Sequence, residues 1–136
     1  MLMQWTSVCI LAPLVGAVIS RLSYNPRYAI NIICMGISFL ASVMMLLSMP
    51  STFVNFYLYN WLQAGIDFDF GLWVDALSMY MTIIVTFISL CVHIYAVGYM
   101  AEDVDINRFF SYVSLFTSAM LLLVLSDNLL MMFFGW

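Results

Sequence analysis

The chain has very little charge. Only 7% of its 136 residues are charged and 66% are apolar, whereas a soluble globular domain carries about 25% charged residues. A water-soluble enzyme domain is therefore excluded. The seven acidic residues outnumber the three arginines, Arg21, Arg27 and Arg108, and lysine is absent. This balance excludes a polybasic surface for nucleic acid or anionic lipid.

The usual signatures of metal and cofactor sites are also missing. Cys9, Cys34 and Cys91 all fall in apolar runs, and their spacing matches no CxxC, zinc or iron–sulfur pattern. The sequence has no glycine-rich phosphate loop. A single histidine without a carboxylate pair cannot build a hydrolytic or metal-dependent site. We therefore expect no redox centre, cofactor or metal in this chain, and we interpret the cysteines as free thiols within the membrane.

Long apolar runs are what the sequence has instead. Four of them are close to the roughly 20 residues that a helix needs to cross a bilayer; they cover about residues 4–20, 29–49, 72–97 and 109–126. Pro13, in the first run, predicts a kink of the kind that helix bundles tolerate. The predicted fold class is an all-α polytopic membrane protein, with residues 1–136 forming a single membrane domain.

A polar turn and the start of a fifth helix close the sequence. Asp127 and Asn128 are typical N-cap residues, because their side chains accept the first free N–H groups of a helix. An apolar run follows from residue 129 to Trp136, which is too short to cross a bilayer. We therefore expect the chain to be the N-terminal piece of a longer protein.

The charges of the loops predict the orientation in the membrane. The segment 21–27 holds two of the three arginines, and Arg108 closes the loop 98–107. By the positive-inside rule both loops are cytoplasmic, which places the N-terminus outside. The external loop 50–71 alternates apolar and acidic residues over 66–70 and is rich in aromatics over 54–61. These segments predict a short external β-hairpin, with an interfacial aromatic belt as the alternative.

The third apolar run has a polar stripe along its whole length. Its members fall within roughly an 80° arc of a helix, and they are Asp75, Ser78, Thr82, Thr86, Ser89 and His93. An intramembrane histidine is a candidate for proton transfer by default. Two interpretations stay open: helix packing with interfacial anchoring, which we favour, and contact of His93 with a hydrated path on the cytoplasmic side.

Smaller polar stripes mark two other runs. The second run carries Asn31, Cys34, Ser38 and Ser42 on one side, and the fourth carries Ser111, Ser114 and Ser118. Small residues on one face let helices approach closely and form hydrogen bonds across the interface. Both stripes therefore predict packing faces, and a water-path lining is the alternative for the second run.

Three segments resemble one known family. RFFSY and LVLSDNLLMMFFGW are similar to the fourth and fifth helices of the large antiporter-like subunit of respiratory complex I, called subunit L in bacteria and chain 5 in mitochondria. FGLWVDALSMYMTIIVTFISLCVHIYAVGYM resembles its third helix. The resemblance is specific from residue 70 to Trp136, and upstream it rests on hydropathy and position.

The resemblance implies a function that composition does not. It implies a membrane-arm subunit of a proton-translocating NADH:quinone oxidoreductase, in which this chain scaffolds the first proton half-channel. The family's catalytic glutamate would follow Trp136, so no catalytic residue is expected here. NADH, FMN, iron–sulfur clusters and quinone would belong to other subunits, which are the partners of this chain. The expected location is a bacterial inner membrane, with the mitochondrial inner membrane as the less favoured alternative. The alternatives are the large subunit of a multisubunit cation/proton antiporter and a four-span structural or assembly protein.

Overall fold

The computed structural model describes residues 2–22, 28–48, 54–63 and 67–136, with the backbone alone described for residue 2 and for the strands up to residue 70. Its elements are α1 (Leu2–Leu22), α2 (Tyr28–Leu47), β1 (Val54–Gln63), β2 (Asp67–Val74), α3 (Ala76–Tyr99), α4 (Ile106–Val124) and α5 (Leu129–Gly135). The four longest helices are long and apolar enough to cross a membrane. The predicted class, an all-α polytopic membrane protein with a short hairpin, is confirmed.

The two strands form an antiparallel hairpin. Its second strand extends into the segment that was predicted to begin the third helix, so that prediction was wrong at its start. Val54 pairs with Val74 at one end, and Gln63 pairs with Asp67 at the other. Residues 72–74 were expected to be helical, but they extend β2 instead. The reason is pairing with β1, which supplies ladder partners for these residues. Helix α3 begins only at Ala76.

Small polar residues share the interior of the bundle with apolar ones, and large apolar residues cover its outside. Helix α1 contacts α2 and α4, and α3 contacts the same two helices. The buried polar side chains are Thr6, Ser20, Asn31, Ser38, Ser42, Thr82, Thr86, Ser89, His93, Ser111, Ser114, Thr117 and Ser118. Large apolar residues such as Leu11, Leu40, Phe87 and Phe116 are exposed. This distribution suits a lipid solvent, in which close helix approach and interhelical hydrogen bonds drive association.

Two apolar clusters lie at opposite ends of the bundle. One joins the end of α2 and α4 to the hairpin through residues such as Met45, Leu72 and Leu125. The other joins the end of α3 to the start of α4 through Ala96, Ile106 and Phe110. Most of the buried hydroxyl groups and His93 fall between these clusters along the helices.

The loops also differ from the sequence prediction. Arg21 was expected in a loop, but it lies in the last turn of α1. The rest of that basic loop, residues 23–27, lies outside the described residues. Helix α4 begins at Ile106, earlier than the apolar run indicated, because polar residues fill its first turn. Arg108 there lies 3.7 Å from the Asp105 carboxylate one turn before it.

Candidate functional site

The polar stripe on α3 faces the interior of the bundle over most of its length. Thr82, Thr86, Ser89 and His93 are buried, and Ser78 is half-buried. Asp75 does not belong to the helix. Its extended backbone places it at the N-cap, where its carboxylate accepts a hydrogen bond from Ala76 N–H at 2.6 Å. The stripe therefore comprises a terminal cap and a buried row that ends at His93.

His93 is held between two helices by both of its ring nitrogens. Nδ1 lies 2.7 Å from the carbonyl oxygen of Ser89, and a carbonyl can only accept, so Nδ1 carries a proton. Nε2 lies 3.0 Å from the Ser114 hydroxyl on α4. In the neutral ring Nε2 accepts from Ser114, and in the charged ring it donates to Ser114. Rotation of one hydroxyl thus accommodates either protonation state.

The surroundings of His93 are otherwise closed and mostly apolar. The His93 side chain is fully buried, and the ring of Phe110 lies 5.6 Å from the imidazole between centroids. Phe110 is itself fully buried and contacts Tyr28 at the start of α2. Among the described residues, no group of three or more His, Cys, Asp or Glu side chains could hold a metal ion. The groups near His93 can accept or pass a proton, and they offer no set of metal ligands.

A second polar contact lies one turn from His93. The Ser89 hydroxyl is 2.7 Å from the Thr117 hydroxyl on α4. Thr117 donates its only hydroxyl proton to the Val113 carbonyl at 2.8 Å, so Ser89 is the donor to Thr117. Ser89 and Thr117 form the floor of an apolar groove of about 300 Å³ between α3 and α4.

The remaining stripe residues bond mainly to their own helix. Thr82 donates to the Ser78 carbonyl at 2.7 Å, and Thr86 donates to the Thr82 carbonyl at 2.8 Å. Such bonds to the preceding turn are common for Ser and Thr in membrane helices. Thr86 also lies 3.1 Å from the Ser42 hydroxyl on α2. Thr86 thus links α3 to α2, whereas Ser89 and His93 link α3 to α4.

Ser114 and Ser118, predicted to share a packing face with Ser111, bond to different helices. Ser111 donates to the Ala17 carbonyl at 2.8 Å, and Ser118 donates to the Ile10 carbonyl at 3.1 Å, both on α1. Ser114 instead contacts His93. Sequence reasoning missed Thr117, although it lies three residues after Ser114 on the same side of α4. Thr117 lies inside the Ser111–Ser118 stripe, and the i, i+3 spacing from Ser114 would have found it.

The predicted cap residues of α5 take different roles. Asn128 occupies the N-cap position, but its side chain makes no cap hydrogen bond. Asp127 lies just before it, and its backbone N–H donates to the Gly71 carbonyl of β2 at 3.3 Å. Trp73 N–H donates to the Leu125 carbonyl at 2.9 Å. The turn between α4 and α5 is therefore attached to the edge of β2 by backbone hydrogen bonds.

Gly71 is fitted closely to this turn. A Cβ atom at position 71 would lie 2.7 Å from Asp127 Oδ2 and 3.2 Å from Asp127 Cβ. Both distances are shorter than ordinary van der Waals contacts. The absence of a side chain at Gly71 therefore lets Asp127 pack against the strand.

Comparison with known proteins decides the family. Residues 61–110 match the family described as NADH-Ubiquinone oxidoreductase (complex I), chain 5 N-terminus. The NADH-quinone oxidoreductase subunit L of Rhodobacter capsulatus is 38% identical over 96% of this chain. This chain belongs to the family of large antiporter-like subunits of complex I. The NADH-ubiquinone oxidoreductase chain 5 of Dictyostelium discoideum is 37% identical over 95% of the chain.

The antiporter-like subunits that it matches are much longer. The chain spans 20% of the Rhodobacter capsulatus subunit and 20% of the Dictyostelium discoideum chain. Subunit L of Neisseria meningitidis is 50% identical over 57% of this chain. The family match includes the end of β1, all of β2 and α3, and the start of α4. His93 thus lies inside the matched segment, whereas its partner Ser114 lies just beyond it.

Proposed function

We propose that this chain is the N-terminal piece of a membrane-arm subunit in a proton-translocating NADH:quinone oxidoreductase. The observation that carries the proposal is similarity to subunit L and chain 5 proteins over nearly the whole chain. Its partners are then the other membrane-arm subunits. NADH, FMN, iron–sulfur clusters and quinone bind elsewhere in the complex. The membrane is the bacterial inner membrane, with the N-terminus outside.

Within that function, α1–α4 scaffold the first proton half-channel. A half-channel needs ionisable or hydroxyl groups that are shielded from lipid and bonded to one another. His93 and Ser114 meet this requirement, because both are buried and His93 Nε2 lies 3.0 Å from the Ser114 hydroxyl across α3 and α4. His93 can hold a proton at Nε2 while Ser114 rotates to match. Proton carriers that the family resemblance implies, such as the glutamate expected after Trp136, supply the remaining steps.

The first experiment tests the parent activity. Inverted membrane vesicles from cells lacking the gene for this protein should lose NADH-driven acidification, and a plasmid copy should restore it. If the protein belonged to a cation/proton antiporter, the deletion would instead abolish ΔpH changes on sodium addition and leave NADH-driven acidification intact. Such a result would reject the proposed complex.

The second experiment tests the role of His93. His93→Ala in the complete protein should lower the initial rate of proton pumping per NADH oxidised, but less than removal of the glutamate expected after Trp136. Cys91→Ala is the control, because Cys91 lies on the exposed side of the same helix. Equal losses for His93→Ala and for the glutamate variant would contradict a supporting role of His93.

A further inference from the structure

The inward face of α2 carries one polar side chain that lacks a partner. Asn31, Ser38 and Ser42 are buried on this face. Ser38 donates to the Cys9 carbonyl, and Ser42 donates to the Phe39 carbonyl. The Asn31 side chain is 0% exposed, and neither Oδ1 nor Nδ2 has a hydrogen-bond partner.

An amide in this position has unused capacity at both of its atoms. The Asn side chain offers two donors and an acceptor with two lone pairs. A buried amide without partners is unfavourable in any apolar interior, and lipid around the bundle supplies none. Asn31 therefore needs a bonding partner that the described side chains do not provide.

The contacts around Asn31 restrict what this partner can be. Helix α1 approaches it at Gly16, where an added Cβ would lie 2.9 Å from Oδ1 and 3.1 Å from Cys34 Cβ. The next residue on α1, Ala17, already accepts a hydrogen bond from Ser111. Because Asn31 is fully enclosed within this chain alone, a side chain of another subunit cannot reach it without separating the helices.

We propose that the Asn31 amide binds an internal water molecule at the interface of α1 and α2. Water is small enough for an enclosed site and can donate and accept, so it can satisfy the amide and nearby backbone carbonyls together. Buried waters commonly make about three hydrogen bonds to otherwise unsatisfied polar groups. The water joins α2 to α1 at the point where Gly16 permits close approach. This assignment does not depend on the proposed function of the parent complex.

High-resolution cryo-electron microscopy of the complete protein, purified from its membrane with whatever subunits accompany it, tests the proposal. A density peak is expected at about 2.7–3.2 Å from Oδ1 or Nδ2 of Asn31, the range of ordinary hydrogen bonds. Met35, buried one turn further along the same face, is the internal control and should have no such peak. An amide without a peak, or one rotated to bond a protein atom directly, would overturn the proposal.

Two variants test whether the amide holds the water. The peak should disappear in Asn31→Leu, which fills a similar volume without polar atoms. The peak should persist in Asn31→Ser, which keeps a hydroxyl that can bond the water. The serine variant also provides the test if the leucine variant does not assemble. A peak that is unchanged in Asn31→Leu, or that is lost in Asn31→Ser while the backbone stays in place, would count against the site.

Discussion

The proline inside α1 leads to the sharpest prediction. Pro13 has no N–H, so the Cys9 carbonyl four residues earlier loses its helical partner. The Ser38 hydroxyl of α2 donates to this carbonyl at 2.7 Å, and both residues are fully buried. A hydroxyl of a neighbouring helix thus replaces the missing bond, which is how membrane helices tolerate proline.

Removing the hydroxyl should destabilise the protein by an amount that depends on Pro13. Leaving a buried carbonyl unpaired costs about 1–3 kcal/mol, whereas interhelical bonds in membrane proteins average about 0.6 kcal/mol with a maximum near 1.7. We therefore expect Ser38→Ala to lower the free energy of unfolding by about 1–2 kcal/mol. In a Pro13→Ala background the restored N–H of residue 13 can bond the Cys9 carbonyl, and the cost should fall by about 1 kcal/mol.

The assay is reversible unfolding in mixed detergent micelles, followed by circular dichroism. The four proteins of the cycle are the native chain, Ser38→Ala, Pro13→Ala and the double variant. Ser7→Ala is the matched control, because Ser7 is half-buried and its hydroxyl donates to the Met3 carbonyl of its own helix in a solvent-facing bond. This variant should change stability by less than about 0.5 kcal/mol. An equal cost of Ser38→Ala with and without Pro13 would refute the argument.

Two further predictions use glycines with matched controls. Gly16→Ala should lower the free energy of unfolding by about 1–3 kcal/mol, because its Cβ would lie 2.9 Å from Asn31 Oδ1. Gly36→Ala is the control and should not lower the free energy of unfolding, because its Cβ would meet nothing within 4 Å. Equal effects of the two variants in thermal unfolding would contradict the prediction. Gly71→Ala should push Asp127 away from β2 and speed hydrogen exchange at the amides of Trp73 and Asp127. Gly98→Ala, also in open space, should leave both exchange rates unchanged, and unaltered exchange in Gly71→Ala would show that the turn does not depend on this contact.

The spans and the hairpin could be predicted from the sequence because each has a local signal. Length and hydropathy identify helices that cross a bilayer, and alternation of apolar and acidic residues identifies a strand. Residues 72–74 could not be assigned in this way, since a short apolar run fits a strand and a helix equally well. Pairing with Val54, Asn55 and Phe56 decides the question, and that pairing is a tertiary contact.

At the candidate site, too, local sequence signals predict some features, and tertiary contacts decide the others. Periodicity places Ser89 and His93 on one side of α3, and the structure buries both. It says nothing about which helix faces them, so the contacts with Ser114 and Thr117 could not be derived. Capping preferences did not predict the role of Asp127. Its backbone N–H bonds to β2, and Asn128 occupies the N-cap position of α5.

The direction of the hydroxyl bonds has a consequence for how the chain enters a bilayer. Ser42, Thr82, Thr86 and Thr117 each donate to a carbonyl of their own helix, and so does Nδ1 of His93. Such internal bonds leave fewer polar groups unpaired when a helix enters the bilayer without its neighbours.

Helix α1, in contrast, has a polar backbone group that is paired by another helix. Among the described residues, the Ser38 hydroxyl of α2 is the side-chain donor to its Cys9 carbonyl. An isolated α1 would expose this group to hydrocarbon, at a cost of several kcal/mol. The first two helices are therefore suited to entering the bilayer as a pair, because α2 supplies the hydroxyl that pairs the Cys9 carbonyl of α1.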